Sequence, residues 1–403
     1  MKLLFASDSF KGSLSSEKTM ELLGRAAREV FGACETAGVP VADGGEGTVD
    51  AVVSAENGSK VTLWVKGPLG RDVEASYGVF DGGRAIIEMA AASGLPLVDP
   101  QDRNPLNTTS FGTGELIRDA LEKGYRDISI AIGGSATNDG GMGCVRALGG
   151  RFLDGTGREL SGYGRDLGKV EHIDLSSLDA RLKEADITVM CDVTNPLCGP
   201  DGATYTFAAQ KGATPEIQQE LERGMEHYRE MILREYGIDC NKVPGAGAAG
   251  GLGAALKVFL KGEMKSGIDT VLDLIQFDQR LDGVNLVVTG EGRTDWQSCF
   301  GKVMQGVGVR AKAKGVPVVG LSGSLGKNAL DICQHGVASL MTTVNAPMEL
   351  HEALENAEAL YYEGAVRMFR FVQVGMEIAG KQTKPAVKTV AEAMAKAEEK
   401  KGV

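Results

Sequence analysis

The sequence predicts an α/β protein. A doubly wound, parallel-sheet unit of the Rossmann-like kind is built from both ends of the chain, with a second α/β unit inserted and a cleft between the two. Three observations predict this. Apolar runs alternate with amphipathic segments over the first 60 residues and again over the last third. The runs are apolar throughout, not at every second residue, as in strands covered on both faces. Glycine-rich loops, several carrying an acid, follow the runs.

Each element has its own signal. LLFAS (3–7) reads as a buried strand, and Ser16 caps a helix through EKTMELLGRAAREVFG with Leu22, Leu23, Ala26 and Val30 on one face. GVPVAD (38–43) reads as the second strand, followed by a helix from Gly47 to Ala55. VTLWVKG and DVEASYGVF form a hairpin around GPLGR. The last third runs NLVVTG as strand, KVMQGVGVRAKAK as helix, VPVVGLSG as strand, a short helix, ASLMTTV as strand, and HEALENAEALYYEGAVRMFRFV as one long helix. The expected divisions are 1–66 with 284–380 for the first unit and 67–283 for the insert. A charged tail, 381–403, has six lysines against three glutamates and reads as an exposed helix after Pro385.

Bulk properties exclude several classes. A chain of 403 residues exceeds what one core usually holds. Its net charge of −11 argues against a nucleic-acid binder and means that an anionic ligand needs local cations. Seven scattered cysteines without CxxC spacing read as reduced thiols, and four histidines with no HxxxH pair argue against zinc. The start has no leader-like apolar run, and no stretch approaches the roughly 20 apolar residues of a membrane span. The expectation is a cytoplasmic protein without membrane contact; its oligomeric state, a homodimer included, is left open.

Chemistry is written at the ends of strands. LLFAS is followed by Asp8, VPVA by Asp43, ITVMC by Asp192 and LVVTG by Glu291. One such acid is more often a helix cap or turn residue than a ligand. Four of them beside glycine loops suit a ligand site beyond the carboxyl edge of a sheet, and a hard cation such as Mg²⁺. The loops DGGEGT (43–48), GGSATNDGGMG (133–143), PGAGAAGGLG (244–253) and TGEGRTDW (289–296) offer consecutive N–H groups as anion cradles. A triphosphate brings about four negative charges, more than loops alone hold, so Lys11, Lys211, Arg293 and Lys302 in Gly-flanked contexts gain weight. GAGAAG (245–250) matches GxGxxG but lacks a preceding strand, and GxxxxGK[ST] is absent.

The strings DSFKGSLSS, VADGGEGT, GPLGR, EMAAASGL, TTSFGTGELI, IGGSATNDGGMGC, CDVTNPLCG, AAQKGA, PGAGAAGGLGAAL and TGEGRTDWQ, in this order, resemble the bacterial two-domain glycerate kinase family over residues 1–380. Ala209 stands where that family usually has Pro, Cys299 and Met304 occupy variable positions, and the tail has no counterpart. The resemblance implies Mg²⁺- and ATP-dependent phosphorylation of D-glycerate, with the 2-hydroxyl favoured over the 3-hydroxyl. On that footing Asp192 is the expected base, with Lys211, Arg293 and Lys11 as charge-neutralising catalytic groups. Asp43, Glu46, Glu291 and Asp295 are expected at the metal. Gly44, Gly45, Ser135, Thr137, Asn138, Gly247 and Gly250 are expected at the nucleotide, and Asp8, Ser9 and Asn195 at the substrate. Two rivals stand beside it: an NAD(P)-dependent dehydrogenase of a small hydroxy acid using GAGAAG, and a non-catalytic binding protein for small acids.

Overall fold

In the computed structural model, which describes residues 1–382, the protein is built on two main sheets. The first has five parallel strands in the order Glu35–Gly38, Lys2–Phe5, Leu286–Thr289, Val318–Ser322, Val337–Thr342. Chain order therefore reverses between Lys2–Phe5 and its neighbour Leu286–Thr289. Such a switch opens a crevice at the carboxyl ends of these two strands.

The second sheet runs Glu263–Lys265, Asp186–Met190, Asp127–Ala131 and Arg84–Glu88 in parallel, then Asp72–Phe80 and Ser59–Lys66 antiparallel. Ser59–Lys66 pairs along its whole length with Asp72–Phe80, so the expected division at residue 66 falls one strand late. At the other end, helices Gly267–Leu274 and Phe277–Arg280 bury Ile268, Val271, Leu272 and Phe277 with Leu4, Val287 and Val318 of the first sheet. They pack with the first unit, although the sequence places 267–283 in the insert.

Alternation along the central strands assigns side chains to layers. Leu3 and Phe5 face helices Ser16–Phe31 and Ala357–Gln382, packing with Leu22, Leu23, Tyr361 and Phe369. Leu4 points to the opposite face, into a cluster that continues through Ile268 and Val307 to Phe80, Ile86, Ala131 and Met190 of the second sheet. One apolar layer thus joins the two sheets. A separate core on the far side of the second sheet includes Ile87, Ile130, Val189, Phe152 and Tyr228.

Local differences from expectation have plain causes. The first helix is capped by Ser15, whose hydroxyl accepts from Lys18 N at 3.2 Å. The second strand is Glu35–Gly38; Pro40 lacks the N–H to extend the ladder, and VPVAD continues as a loop. The long C-terminal helix is broken at Asn356 into Leu350–Glu355 and Ala357–Gln382. The GAGAAG segment lies in turns, with Ala249 and Gly250 both left-handed, and no strand precedes it. The tail expectation lies outside the described residues beyond 382. Among the described residues no helix is long and apolar enough to cross a membrane.

Ile268 is 2% exposed in the layer joining the sheets. Ile268→Ala is expected to cost about 2–4 kcal/mol, read as a lowered thermal midpoint with unchanged far-UV circular dichroism at 20 °C.

Candidate active site

Two cavities open beyond the carboxyl ends of the strands, and Asp43 lines both. The first, about 490 Å³, sits at the switch point of the first sheet. Asp8, Ser9, Lys11, Glu291, Arg293 and Lys302 line its polar side, and Leu350, Leu354 and Leu360 its apolar side. The second, about 580 Å³, lies under the second sheet and is lined by Gly44, Gly45, Gly133, Gly134, Ser135, Asp192 and Lys211.

Backbone geometry joins the two lobes. A Cβ on Gly267 would lie 2.1 Å from the Asp43 carbonyl oxygen and 2.8 Å from Asp192 Oδ2. Gly267 N–H donates to Asp192 Oδ1 at 2.9 Å. The ends of strands from different sheets therefore meet over one residue with no side chain. Asp43 Oδ1 accepts from Gly45 N at 3.2 Å, which folds its loop back under the carboxylate.

Burial tunes the acids. Asp8 is pushed up to about 6, first by burial and then by the Asp43 carboxylate, with the Ser9 N–H and Lys11 opposing and Glu291 adding to the rise. Glu291 is raised by burial, while hydroxyls of Ser298 and Thr294 donate to it and Lys302 adds positive charge. Asp192 is raised by burial, opposed by the Gly267 N–H, with Asp43 as a like-charged neighbour. Lys211 is 2% exposed and brought down to about 7 by burial. Its ammonium donates to Ser135 Oγ at 2.8 Å and to the Thr137 carbonyl at 2.7 Å, both neutral acceptors.

Several expected residues do not line either cavity. Asp295 caps Trp296–Cys299, accepting from Gln297 N at 2.9 Å, and its other oxygen lies 3.7 Å from Arg293 Nε. Glu46 is exposed. Asn195 donates to the Asp201 carbonyl at 2.8 Å and braces its own loop. Thr137 and Asn138 are fully buried behind Lys211. Gly247 and Gly250 are backbone contacts: a Cβ would meet Pro196 O at 2.2 Å and Thr137 O at 2.0 Å, and the neighbouring Ala248 and Ala249 reach the cavity instead.

The first lobe offers oxygen donors of the kind a hard cation takes. Asp8, Asp43 and Glu291 line it with hard carboxylate oxygens, and Asp43 and Glu291 both add to the rise of Asp8, as anions facing a shared space do. Magnesium in phosphate-transfer sites takes one or two carboxylates and fills its remaining positions with phosphate and water. Among the described residues no group of three or more acid, His or Cys side chains forms an all-protein metal cage.

A family model described as the glycerate kinase family matches residues 3–373. The chain belongs to the glycerate kinase family. Relatives include a glycerate 2-kinase of Escherichia coli (strain K12), 46% identical over 94% of this chain and 100% of that protein. A glycerate kinase of Bacillus subtilis (strain 168) is 46% identical over 91% of this chain and 96% of its own length. A crystal structure from Salmonella typhimurium LT2, carrying the name of a glycerate kinase 2, superposes with a TM-score of 0.85 at 43% identity, covering 94% of this chain and 99% of that one. As a glycerate kinase family member the chain is a kinase, which sets aside both the dehydrogenase and the non-catalytic readings.

Sequence reasoning missed the apolar wall of the first lobe. Leu354 and Leu360 fall inside the predicted long helix and Leu350 just before it, with no local sign that they border a cavity. It also passed over Asp139, which lies inside the 133–143 loop read as an anion cradle.

The Asp8 shift fixes a pH signature. Its carboxyl holds its proton up to about 6 in the folded state against 3.8 ordinarily, so stability from this group is full at low pH and is lost as pH rises through 6. Asp8→Asn should therefore raise the unfolding free energy by about 1–2 kcal/mol at pH 7.5, discounting for residual solvent, and leave it unchanged near pH 4. Thermal melts at both pH values check it.

Proposed function

We propose that the protein transfers the γ-phosphoryl group of ATP to the 2-hydroxyl of D-glycerate, with magnesium, across the point where the two cavities meet. The observation that carries this reading is Asp43, shared by both lobes. The first lobe suits the nucleotide. It lies at a sheet switch point, carries three basic side chains for a triphosphate, and has an apolar wall for a base. The second lobe suits a small acid. Among the described residues its buried cation, Lys211, donates only to neutral acceptors, leaving it free to pair with an anion.

Roles follow from those positions. Lys11, Arg293 and Lys302 hold phosphate oxygens, and Asp43, Glu291 and Asp8 are the carboxylates that would hold magnesium. Magnesium, when bound, neutralises charge on the β- and γ-phosphate oxygens. Lys211 and the Gly133–Gly134–Ser135 backbone receive the glycerate carboxylate. Asp192, fixed by the Gly267 N–H and raised by burial, accepts the hydroxyl proton. The 2-hydroxyl is preferred because a relative covering nearly the whole chain bears the name glycerate 2-kinase. The seven cysteines are all unpaired, which supports a cytoplasmic setting.

Coupled ADP release with ATP, Mg²⁺ and D-glycerate tests the reaction, with glycerol and other hydroxy acids as controls. ³¹P NMR of the product identifies the hydroxyl. ADP release independent of glycerate would overturn the reading. Asp192→Asn should lower kcat by about 10²–10⁴ while the fold persists. Lys211→Met should raise KM for glycerate at least about tenfold, the loss of one charge-assisted hydrogen bond. Its KM for ATP should stay unchanged.

A further inference from the structure

Behind Lys211 lies a carboxylate with no solvent contact. Asp139 is 0% exposed. It accepts from Ser110 N and Ser110 Oγ, both at 2.7 Å, from Gly141 N at 3.0 Å and from Gly143 N at 3.2 Å. Burial raises its proton affinity, and these four donors, all pointing into it, oppose that rise by favouring the ionised form. The Ser110 hydroxyl in turn accepts from Cys144 N at 3.0 Å. These bonds clamp the start of helix Phe111–Glu122 to the 133–143 loop. Two residues before Asp139, that loop presents the Thr137 carbonyl to the Lys211 ammonium, and it sends the Ser135 hydroxyl to the same ammonium.

We propose that Asp139 is a positioning residue for the reaction: its buried carboxylate shapes the loop that grips Lys211 and supplies the nearby negative charge that keeps this ammonium ready for the substrate's carboxylate. This rests on Lys211 binding the acid, as assigned above. Lys211 makes no ion pair among the described residues, and a buried ammonium with neutral acceptors alone favours losing its proton. Burial lowers it, and Asp139 is the charge that opposes the fall. Other charged groups bear on the same space. Asp43 and Asp192 line the cavity with Lys211, and the Arg103 backbone packs on Gly212 while its guanidinium turns to the Val98 carbonyl at 3.4 Å. None of these shares Asp139's place in the loop that holds the lysine.

Asp139→Asn keeps the side chain's size and removes the charge, while turning one of its two accepting oxygens into a donor. If its loss lowers the lysine's midpoint by about one pH unit from 7, the charged fraction falls about tenfold at pH 8 and less than about twofold at pH 6. KM for D-glycerate should therefore rise about tenfold at pH 8 and less than about twofold at pH 6, with KM for ATP unchanged at both. An equal rise at pH 6 and pH 8, or none, would overturn the proposal and leave Asp139 a structural residue. Should the Asn chain fail to fold, Ser110→Ala removes one donor and keeps the charge; it should raise KM for glycerate at least about twofold at pH 8 without moving that for ATP, and no change would overturn the proposal. A wild-type chain without glycerate-dependent ADP release would instead overturn the proposed function, so the two failures read differently.

Discussion

Gly267 is the closest approach on which the site depends. Its Cα fits between the Asp43 carbonyl and the Asp192 carboxylate, and its N–H holds the latter. Any side chain there would push apart the loops that follow strands of two different sheets. The same residue opens helix Gly267–Leu274, whose apolar face fills the layer between the sheets. Packing and site geometry are thus set by one stretch of chain. The separation of the two cavities inherits its precision from a buried core instead of from flexible loops.

The electrostatics has the opposite character. Four groups facing the cleft are held by burial in an environment that disfavours their charge. Asp8, Asp192 and Glu291 are raised by burial, and Lys211 is lowered by it. On the proposed reading, a metal ion, a polyphosphate and a small anionic acid would supply the opposite charges. The protein accepts a cost in stability at the site in order to have its charges arranged before the ligands arrive.

Much of this was legible in the residues. Wholly apolar runs ending in an acid and glycine placed Asp8, Asp43, Asp192 and Glu291 at strand ends, because a covered parallel strand leaves no other place for a charge. The roles of Asp295 and Glu46 were not legible, since a capping acid and a ligating acid occupy the same kind of loop. Gly247 and Gly250 misled for a related reason: glycine marks close backbone approach, and sequence does not say whether the approaching atom is a phosphate or a carbonyl. The strand SKVTLWVK carries a pattern that fits either sheet, and only its partner Asp72–Phe80 decides between them. Asp139 was hidden because a buried ion is recognised by its donors, and here they come from Ser110 as well as from its own loop.

The first sheet also dictates an order of events during synthesis. Lys2–Phe5 precedes every strand of the second sheet in the chain, yet its inner neighbour is Leu286–Thr289. All strands of the second sheet lie between those two segments, so that sheet has its full complement of partners first. Until then the N-terminal strand carries one open edge, covered on the other by Glu35–Gly38 alone. During synthesis a chain of this topology keeps that apolar edge unpaired until Leu286–Thr289 is made, the kind of edge on which chains associate wrongly.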